Sequence, residues 1–266
     1  MSIGATNFLS PDQIECFWHQ GYLVVENMLD EVDLKVLRES LKVLETWAQF
    51  NSHPDFQREV DSDADRIVLR KVQGIHHHGG APWRALMTRK DTLDAMTDLL
   101  GSHICFHHSK VMMKLAHEGS AKPWHQDLAG GFVLPDEAKR LRALGPSLTP
   151  EAVPVVAIQY YLDDSSTRNG CIEVVPGSHR LGLFENPVNL KRMSTMDIHR
   201  AEVCAGGALL FHCLTFHYSA PNQSAQSRRA PVYEYCAPTS AVKLRLQELN
   251  AGDVLCFERQ PSDSSA

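Results

Sequence analysis

Short apolar runs dominate the chain after Gly101 and limit the kind of fold that it can form. They lie at Ile104–Phe106, Val111–Leu115, Val153–Leu162, Cys171–Val175, Ala208–Phe211 and Pro231–Tyr235. The runs are rich in β-branched residues, and turn-forming residues separate each run from the next. Many short strands joined by turns are typical of antiparallel β-sandwiches and barrels. The sequence therefore predicts an all-β core in this part of the chain.

Helical patterns precede this core. Ser10 and Pro11 are the residue types of an N-cap and a first helical position, and Gly21 follows as a stop signal. Apolar residues from about Asp30 to Trp47 recur at the spacing of an amphipathic helix, and a further helical stretch is expected from about Trp83 to Leu100. The expected fold is therefore mainly β with N-terminal helices.

The remaining segments carry weaker patterns. Gly21–Val25 is predicted as a short buried strand, whereas residues 48–82 are polar and are expected to be irregular. The histidine run His76–His78 falls within that region and is expected in an exposed loop. Residues 135–150 interrupt the strand pattern with a charged segment and a Gly-Pro stop, which predicts an inserted helix and loop.

The chain is expected to form one domain over residues 1–266, because its length is that of one large domain. A helical flank at about 10–100 precedes the jelly-roll or barrel core at about 101–237, which contains the insertion at 135–150. Residues 238–266 are expected to form a C-terminal tail.

Composition excludes several classes of protein. Lys and Arg total 26 against 32 for Asp and Glu, so no nucleic-acid partner is expected. No apolar run of about 18 residues occurs, so no membrane partner is expected either. The seven cysteines are odd in number and form no CxxC pair, which predicts reduced thiols rather than a disulfide framework or a cysteine zinc site. Reduced thiols and the lack of a signal-peptide pattern predict a cytoplasmic protein.

A candidate metal site begins with His125 and Asp127. Residues two positions apart in a strand point to the same face, so an imidazole and a carboxylate would lie side by side. A second histidine from a distant strand, either His212 or His217, would complete the two-histidine, one-carboxylate set that holds iron(II) and leaves open positions. Further on, Arg228 is the residue type that binds a co-substrate carboxylate through two parallel N–H groups.

Four segments, in this order, resemble the phytanoyl-CoA dioxygenase family of iron(II)- and 2-oxoglutarate-dependent oxygenases. Phe17–Val25 (FWHQGYLVV) is similar to the family's opening segment, and Trp124–Asp127 (WHQD) to its metal-binding His-Gln-Asp. Arg168–His179 (RNGCIEVVPGSH) is similar to its Pro-Gly-Ser-His signature. Gly206–Arg228 is similar to its closing pattern, in which His-x-Ser-x-x-Asn is followed by Arg. The resemblance spans most of the chain.

The resemblance implies a role for individual residues. His125, Asp127 and His217 match the iron ligands, because the closing pattern begins at His217 rather than at His212. Arg228 matches the arginine that pairs with the distal carboxylate of 2-oxoglutarate. Further contacts with 2-oxoglutarate are implied for Ser219, Gln159 and Lys110, with Lys114 as the alternative to Lys110.

Two residues are candidates for the wall of the substrate pocket. Trp124 is next in sequence to an implied iron ligand. His107 and His108 would point to opposite faces of a strand, so only one of them could line a cavity, and His108 is the candidate.

The implied fold is a double-stranded β-helix, the jelly roll of cupin-like proteins. The implied enzyme uses iron(II), 2-oxoglutarate and O2 to oxidise a small organic molecule, with release of succinate and CO2. Asp127 favours hydroxylation over halogenation, because halogenating relatives have a small residue in its place.

A hydroxylase with a biosynthetic or tailoring role is therefore expected. The alternatives are desaturation, epimerisation or ring closure with the same cofactors, an acyl-CoA hydroxylase, and a catalytically silent binding protein. The expected partner is a small-molecule substrate, and the chain is expected to be a monomer or a homodimer.

Overall fold

Helices are concentrated in the N-terminal part of the chain, and strands make up most of the rest. The structure, a computed structural model, describes residues 2–3, 7–60, 67–117, 119–130, 135–183, 195–238 and 255–259. Its helices are α1 (Pro11–Gln20), α2 (Glu31–Phe50), α3 (Ile75–His78), α4 (Ala81–Met87), α5 (Lys90–Leu100) and α6 (Pro135–Leu144). Its strands are β1 (Ser2–Ile3), β2 (Tyr22–Val25), β3 (Phe56–Val60), β4 (Ile67–Gln73), β5 (His103–Lys114), β6 (Lys122–His125), β7 (Val155–Tyr160), β8 (Ile172–Val174), β9 (His199–Ala201), β10 (Ala208–His212), β11 (His217–Ser219), β12 (Arg228–Cys236) and β13 (Cys256–Arg259).

The strands form two sheets. The main sheet has the order β1-β13-β5-β12-β7-β10-β2, and the second sheet has the order β6-β11-β8-β9. Apolar side chains of both sheets pack together between them, including Phe211 and Val232 from the main sheet and Ile172 and Val174 from the second. Since nearly all pairings are antiparallel and neighbours in the sheets are far apart in sequence, the fold is the expected cupin-like jelly roll.

The N-terminal helices pack on the outer face of the main sheet. Side chains alternate along β12, so Tyr233 and Tyr235 face the helices whereas Val232 and Glu234 face the interior. The Tyr233 hydroxyl donates to the carbonyl oxygen of Trp83 at 2.8 Å, which fixes α4 against the sheet. No helix in the described ranges is both long and apolar enough to cross a membrane.

The turn between α1 and β2 forms as the sequence predicts. Ser10 caps α1, since its hydroxyl accepts from the Gln13 backbone N–H at 3.2 Å, and the Ser10 backbone N–H donates to the Gln13 side-chain oxygen at 2.9 Å. Gly21 ends the helix with φ of +82°, and a Cβ atom there would lie 2.4 Å from His179 Nδ1. Glycine is therefore required both by the backbone angle and by this close contact.

Two expectations for the N-terminal half are wrong. Residues 48–82 are not irregular, because β3 and β4 form a hairpin that joins the main sheet at β5. The histidine run does not lie in an exposed loop, since it forms α3 and His76 is completely buried. The His76 ring reaches the Ser109 hydroxyl at 2.6 Å, and this tertiary contact explains its burial. The helical stretch near Trp83 is interrupted at Thr88 and forms α4 and α5.

The expectation of reduced thiols is wrong at one pair. Cys105 on β5 and Cys256 on β13 are opposite each other in the antiparallel register and form a disulfide. The two cysteines are 151 residues apart in sequence, so no local cysteine spacing indicates that they pair. Part of the expected tail, β13, is thereby fixed to the main sheet. One of the two reasons for expecting a cytoplasmic protein is removed, and that location stays a prediction.

Candidate active site

Two histidines and an aspartate meet in the second sheet, and we call them the triad. His125 ends β6 and His217 begins β11, and the register of these strands places the two residues opposite each other. Asp127 starts the 3-10 turn that follows β6. The His125 Nε2 and Asp127 Oδ1 atoms are 3.4 Å apart, and the two imidazole centroids are 4.2 Å apart. One ligand atom from each residue lies within 4.8 Å of the others, a spacing that can hold a metal ion.

Backbone carbonyls orient both imidazoles of the triad. His125 Nδ1 lies 2.8 Å from the carbonyl oxygen of Pro123, and His217 Nδ1 lies 2.9 Å from that of Thr215. A carbonyl oxygen can only accept, so each Nδ1 carries the proton and each Nε2 keeps its lone pair. Histidine ligands of metal ions commonly have such a hydrogen bond on the other ring nitrogen.

The charge state of the triad suits a divalent cation. Burial raises the pKa of Asp127, but the Lys110 ammonium and the neighbouring imidazoles outweigh burial and hold that pKa well below its usual range. Burial, assisted by His125, lowers the pKa of His217 to about 4, although Asp127 opposes the shift. At neutral pH the site therefore presents a carboxylate and a neutral imidazole, the forms that bind metal.

Gln126 fixes the turn between two members of the triad. Its buried side-chain amide donates to the carbonyl oxygens of Gly182 at 2.8 Å and Leu214 at 2.6 Å. These carbonyls lie in separate loops, and one of them is close in sequence to His217. Gln126 thus joins the segment carrying Asp127 to the segment before β11.

A cavity of about 210 Å³ lies between the two sheets, and the triad forms part of its wall. Its wall is strongly cationic, and Asp127 is the one carboxylate among the described lining residues. The cationic side chains are Arg70, Lys71, Lys110, Lys114, Lys122 and Arg228. An anionic ligand is therefore favoured in this cavity.

Arg228 is the most deeply buried of these cations, at 2% exposure. Its Nη1 donates to the carbonyl oxygen of Gly170 at 2.6 Å, whereas its Nε has no hydrogen-bond partner within the described residues. Burial lowers the pKa of the guanidinium, and Tyr161 and Cys171 oppose this effect. A buried charge without an acidic partner is costly, so the cavity around Arg228 suits a ligand carboxylate.

The other residues implied to contact 2-oxoglutarate also reach the cavity. Ser219 on β11 and Gln159 on β7 both line it and are buried. Gln159 Nε2 donates to the Tyr161 hydroxyl at 2.8 Å, which leaves the side-chain oxygen to accept from a ligand or a neighbour. Both side chains therefore share one cavity with the triad and Arg228.

The two candidate lysines have different partners. Lys110 Nζ is 3.8 Å from Asp127 Oδ2 and 3.4 Å from Glu234 Oε1. Lys114 Nζ donates to the carbonyl oxygens of Ser120 at 2.8 Å and Ser219 at 3.2 Å, and it also contacts that of Ala220. Lys114 therefore holds backbone, whereas Lys110 links two carboxylates.

The two candidates for the substrate-pocket wall are not among the described residues that line this cavity. Trp124 stacks on Phe216 at 5.1 Å and on Tyr218 at 5.3 Å, since neighbouring residues of β6 point to opposite faces. His108 is buried against Glu234, with a distance of 3.1 Å between Nε2 and Oε1.

Sequence reasoning missed three cations of the wall, namely Arg70, Lys71 and Lys122. Lys71 and Lys122 line the cavity, and no carboxylate among the described residues forms an ion pair with either of them. Burial, followed by Lys110 and Lys122, lowers the pKa of Lys71 to about 8. Lys71 lies on β4, in the region expected to be irregular. The β-branched residues Ile67, Val68 and Val72 around it were the signal that could have placed it on a strand.

Comparison with curated and solved proteins supports this picture. The chain is 27% identical to an L-proline trans-4-hydroxylase of Streptomyces griseoviridis, over 80% of this chain and 81% of that protein. The crystal structure of EctD from S. alaskensis with bound Fe covers 96% of this chain and 89% of its own, with a TM-score of 0.74 and 21% identity. The non-heme alpha-ketoglutarate-dependent carbocyclase SnoK from nogalamycin biosynthesis covers 97% of this chain and 100% of its own, with a TM-score of 0.71 and 18% identity.

These comparisons confirm the jelly roll and the enzyme class, an iron(II)- and 2-oxoglutarate-dependent dioxygenase with those two cofactors. The family model described as phytanoyl-CoA dioxygenase (PhyH) matches residues 17–230, which is most of the chain. The chain therefore belongs to the phytanoyl-CoA dioxygenase family.

Proposed function

We propose that His125, Asp127 and His217 bind the iron(II), that Arg228 binds the distal carboxylate of 2-oxoglutarate, and that the enzyme hydroxylates a small organic molecule. One observation carries this proposal. The buried Arg228 guanidinium has an Nε without a hydrogen-bond partner among the described residues, and it opens onto the same cavity as the triad. A dicarboxylate between them would be bound by a metal ion at one end and by a planar cation at the other.

The residues of the chain bind and orient, and the cofactors supply the oxidant. Iron(II) with 2-oxoglutarate and O2 provides the power to oxidise an unactivated C–H bond, with release of succinate and CO2. The carbonyls of Pro123 and Thr215 hold both imidazoles with Nε2 towards the metal position. Ser219 and Gln159 would support 2-oxoglutarate along its length, and Lys71 adds positive charge beside it.

Asp127 supports hydroxylation as the outcome. A carboxylate here completes the triad and leaves fewer open metal positions than a small residue would. The L-proline trans-4-hydroxylase among the relatives favours a hydroxylation of this kind. The expected role is biosynthetic or tailoring. Ring closure is the second candidate, because the carbocyclase SnoK has the same fold over its whole length.

The test is an anaerobic titration of the metal-free protein with iron(II) and 2-oxoglutarate. The readout is the visible metal-to-ligand charge-transfer band. We expect a band in the wild-type protein and none in His217→Ala. In Arg228→Ala the band should require about 10- to 100-fold more 2-oxoglutarate, because a buried charge-assisted pair is lost.

The matched control is Arg229→Ala. Its guanidinium is partly exposed and binds Asp163 at 2.7 and 2.8 Å, away from the cavity. We expect no change in its titration with 2-oxoglutarate. A wild-type protein that forms no band, or an equal loss in both arginine variants, would reject the assignment.

A further inference from the structure

A second cluster of buried ionisable side chains lies next to the triad. His107, His108 and Glu234 are each 1% exposed, and Lys110 is 8% exposed. They come from β5 and β12, which are neighbours in the main sheet. These residues face the interior of the jelly roll on the side of Lys110 that is away from Arg228. Of these four residues, only Lys110 belongs to the co-substrate site described above.

A β-bulge brings both histidines of this cluster to Glu234. In the register of β5 and β12, Glu234 is opposite His108 and Tyr235 is opposite Phe106, so His107 is an extra residue. The expectation that the two imidazoles point to opposite faces is therefore wrong. His107 Nδ1 lies 3.4 Å from Glu234 Oε2, and His108 Nε2 lies 3.1 Å from Glu234 Oε1.

Lys110 connects this cluster to the triad. Its Nζ is 3.4 Å from Glu234 Oε1 and 3.8 Å from Asp127 Oδ2. The other oxygen of the aspartate, Oδ1, lies 3.4 Å from His125 Nε2 and thus faces the metal position. The two oxygens of Asp127 therefore have separate partners, one on the metal side and one on the ammonium side.

The position of the ammonium has a consequence for the metal. A buried ammonium with one carboxylate partner would close onto it, and it would then compete with the cation for the same oxygens. Glu234 supplies the second carboxylate, and its contact with Lys110 is the shorter of the two. Lys110 thus stays near Asp127 without closing onto it.

We propose that Glu234, held by His107 and His108, is a positioning residue of the metal centre, which acts through Lys110 to hold the ammonium away from Asp127 and to leave Asp127 Oδ1 directed to the metal. This inference rests on the proposed function, because it takes Asp127 as a ligand. Binding of a second metal ion by the cluster itself is opposed by the Lys110 ammonium beside Glu234.

The experiment is a titration of metal-free protein with Co(II), which reports affinity, stoichiometry and the visible ligand-field spectrum. Wild type should bind one Co(II), and His217→Ala should lose it. Glu234→Gln keeps the size of the side chain but removes its charge. We expect it to weaken Co(II) binding by about 10- to 100-fold and to shift the spectrum, as changes behind a metal ligand commonly do.

Rescue separates a positioning role from a general structural one. In Glu234→Gln combined with Lys110→Met, the ammonium that would close onto Asp127 is gone, so the affinity for Co(II) should recover to within about threefold of wild type.

Glu234→Asp retains the charge and covers the case in which Glu234→Gln does not fold. Its affinity should lie between those of wild type and Glu234→Gln. The control is Glu258→Gln. The Glu258 carboxylate is exposed and pairs with His103 at 2.9 Å, so its replacement should not change the affinity for Co(II).

Two results would overturn the proposal. One is wild-type affinity and an unchanged spectrum in a folded Glu234→Gln protein. The other is binding of two Co(II) by wild type, with one of them lost in Glu234→Gln, which would make the cluster a metal site in its own right. Failure of wild type to bind any Co(II) would instead reject the proposed function.

Discussion

Arg228 and Arg229 are neighbours in sequence with opposite surroundings. Arg228 faces the cavity and has an Nε without a partner among the described residues, whereas Arg229 forms a two-point ion pair with Asp163. The alternation of side chains along β12 produces this difference. The family resemblance named Arg228 as the carboxylate-binding arginine, and the alternation along β12 directs Arg228 rather than Arg229 into the cavity.

Arg228→Lys tests whether the planar guanidinium matters beyond its charge. Lysine keeps the charge but cannot form two parallel hydrogen bonds to a carboxylate. We expect the Kd for 2-oxoglutarate to rise about tenfold, measured by calorimetry with a redox-inert metal in the triad. Arg229→Lys is the matched variant and should leave the Kd unchanged. Equal Kd values for Arg228→Lys and wild type would show that charge alone is sufficient.

Gln126 is the subject of a separate prediction, because it is buried and lies in sequence between His125 and Asp127, two of the proposed metal ligands. Gln126→Ala removes its two hydrogen bonds to carbonyl oxygens and should reduce stability by about 1–3 kcal/mol in urea unfolding. Affinity for Co(II) should fall as well, since the turn carrying Asp127 is no longer fixed. The exposed Gln49 provides a control, and Gln49→Ala should change neither quantity. Retention of wild-type Co(II) affinity in Gln126→Ala would contradict this role.

At the scale of elements, the disulfide between β5 and β13 predicts how many thiols of the chain can react. Five cysteines remain free, so denatured protein that has not been reduced should react at five thiols rather than at all of them. Removing the disulfide by Cys256→Ser should lower the free energy of unfolding by about 2–4 kcal/mol, because the loop that it closes is long. Cys16→Ser alters an exposed free thiol and should have little effect. Seven reactive thiols would disprove the pairing.

The elements also show what the sequence could and could not predict. Local signals were sufficient for α1, with its Ser10 cap and Gly21 stop, and for the strands that contain runs of β-branched residues. The hairpin of β3 and β4 was missed because charged and polar residues interrupt the apolar ones in both strands without a strict alternation. The β-bulge at His107 was also missed, since it depends on the register with β12, which no local pattern records.

The residues of the candidate site also divide into those that a sequence motif indicates and those that only the pairing of strands reveals. Motif resemblance named the triad, Arg228, Ser219, Gln159 and Lys110, and the structure places all of them on one cavity. Lys71 and Glu234 lay outside every motif, because their relation to the site arises only from pairing between strands. Trp124 does not line this cavity within the described residues, because closeness in sequence to His125 does not imply the same face of β6, and its place on the substrate-pocket wall stays a prediction.

For the whole molecule, buried histidines predict a loss of stability in acid. Burial is the main cause that lowers the pKa of each, to about 3 in His76 and His212 and to about 4 in His108 and His217. The unfolded chain binds these protons first, at a pKa of about 6.5, so stability is complete above that pH and is lost as pH falls towards the folded values. Each histidine contributes a slope of up to about 1.4 kcal/mol per pH unit in this range.

Urea unfolding of the metal-free protein at several pH values between about 7.5 and 4.5 measures this effect. We expect the midpoint to decrease steadily below pH of about 6.5, and His212→Asn should reduce the slope. His103 is exposed, and His103→Asn should leave the slope unchanged. A stability that stays constant over this range would show that the buried histidines accept protons in the folded state.

The cationic cavity sits in a chain whose net charge is −6. An approaching dicarboxylate is therefore repelled by most of the surface and attracted at one opening, where Lys71 and Lys122 have no carboxylate partners among the described residues. Attraction of this kind accelerates encounter by diffusion and weakens with added salt, over a screening distance of about 8 Å at physiological ionic strength. The capture rate of 2-oxoglutarate should thus fall as salt is added, while its release, which the proposed short-range contacts with Arg228 and the metal would govern, should change little.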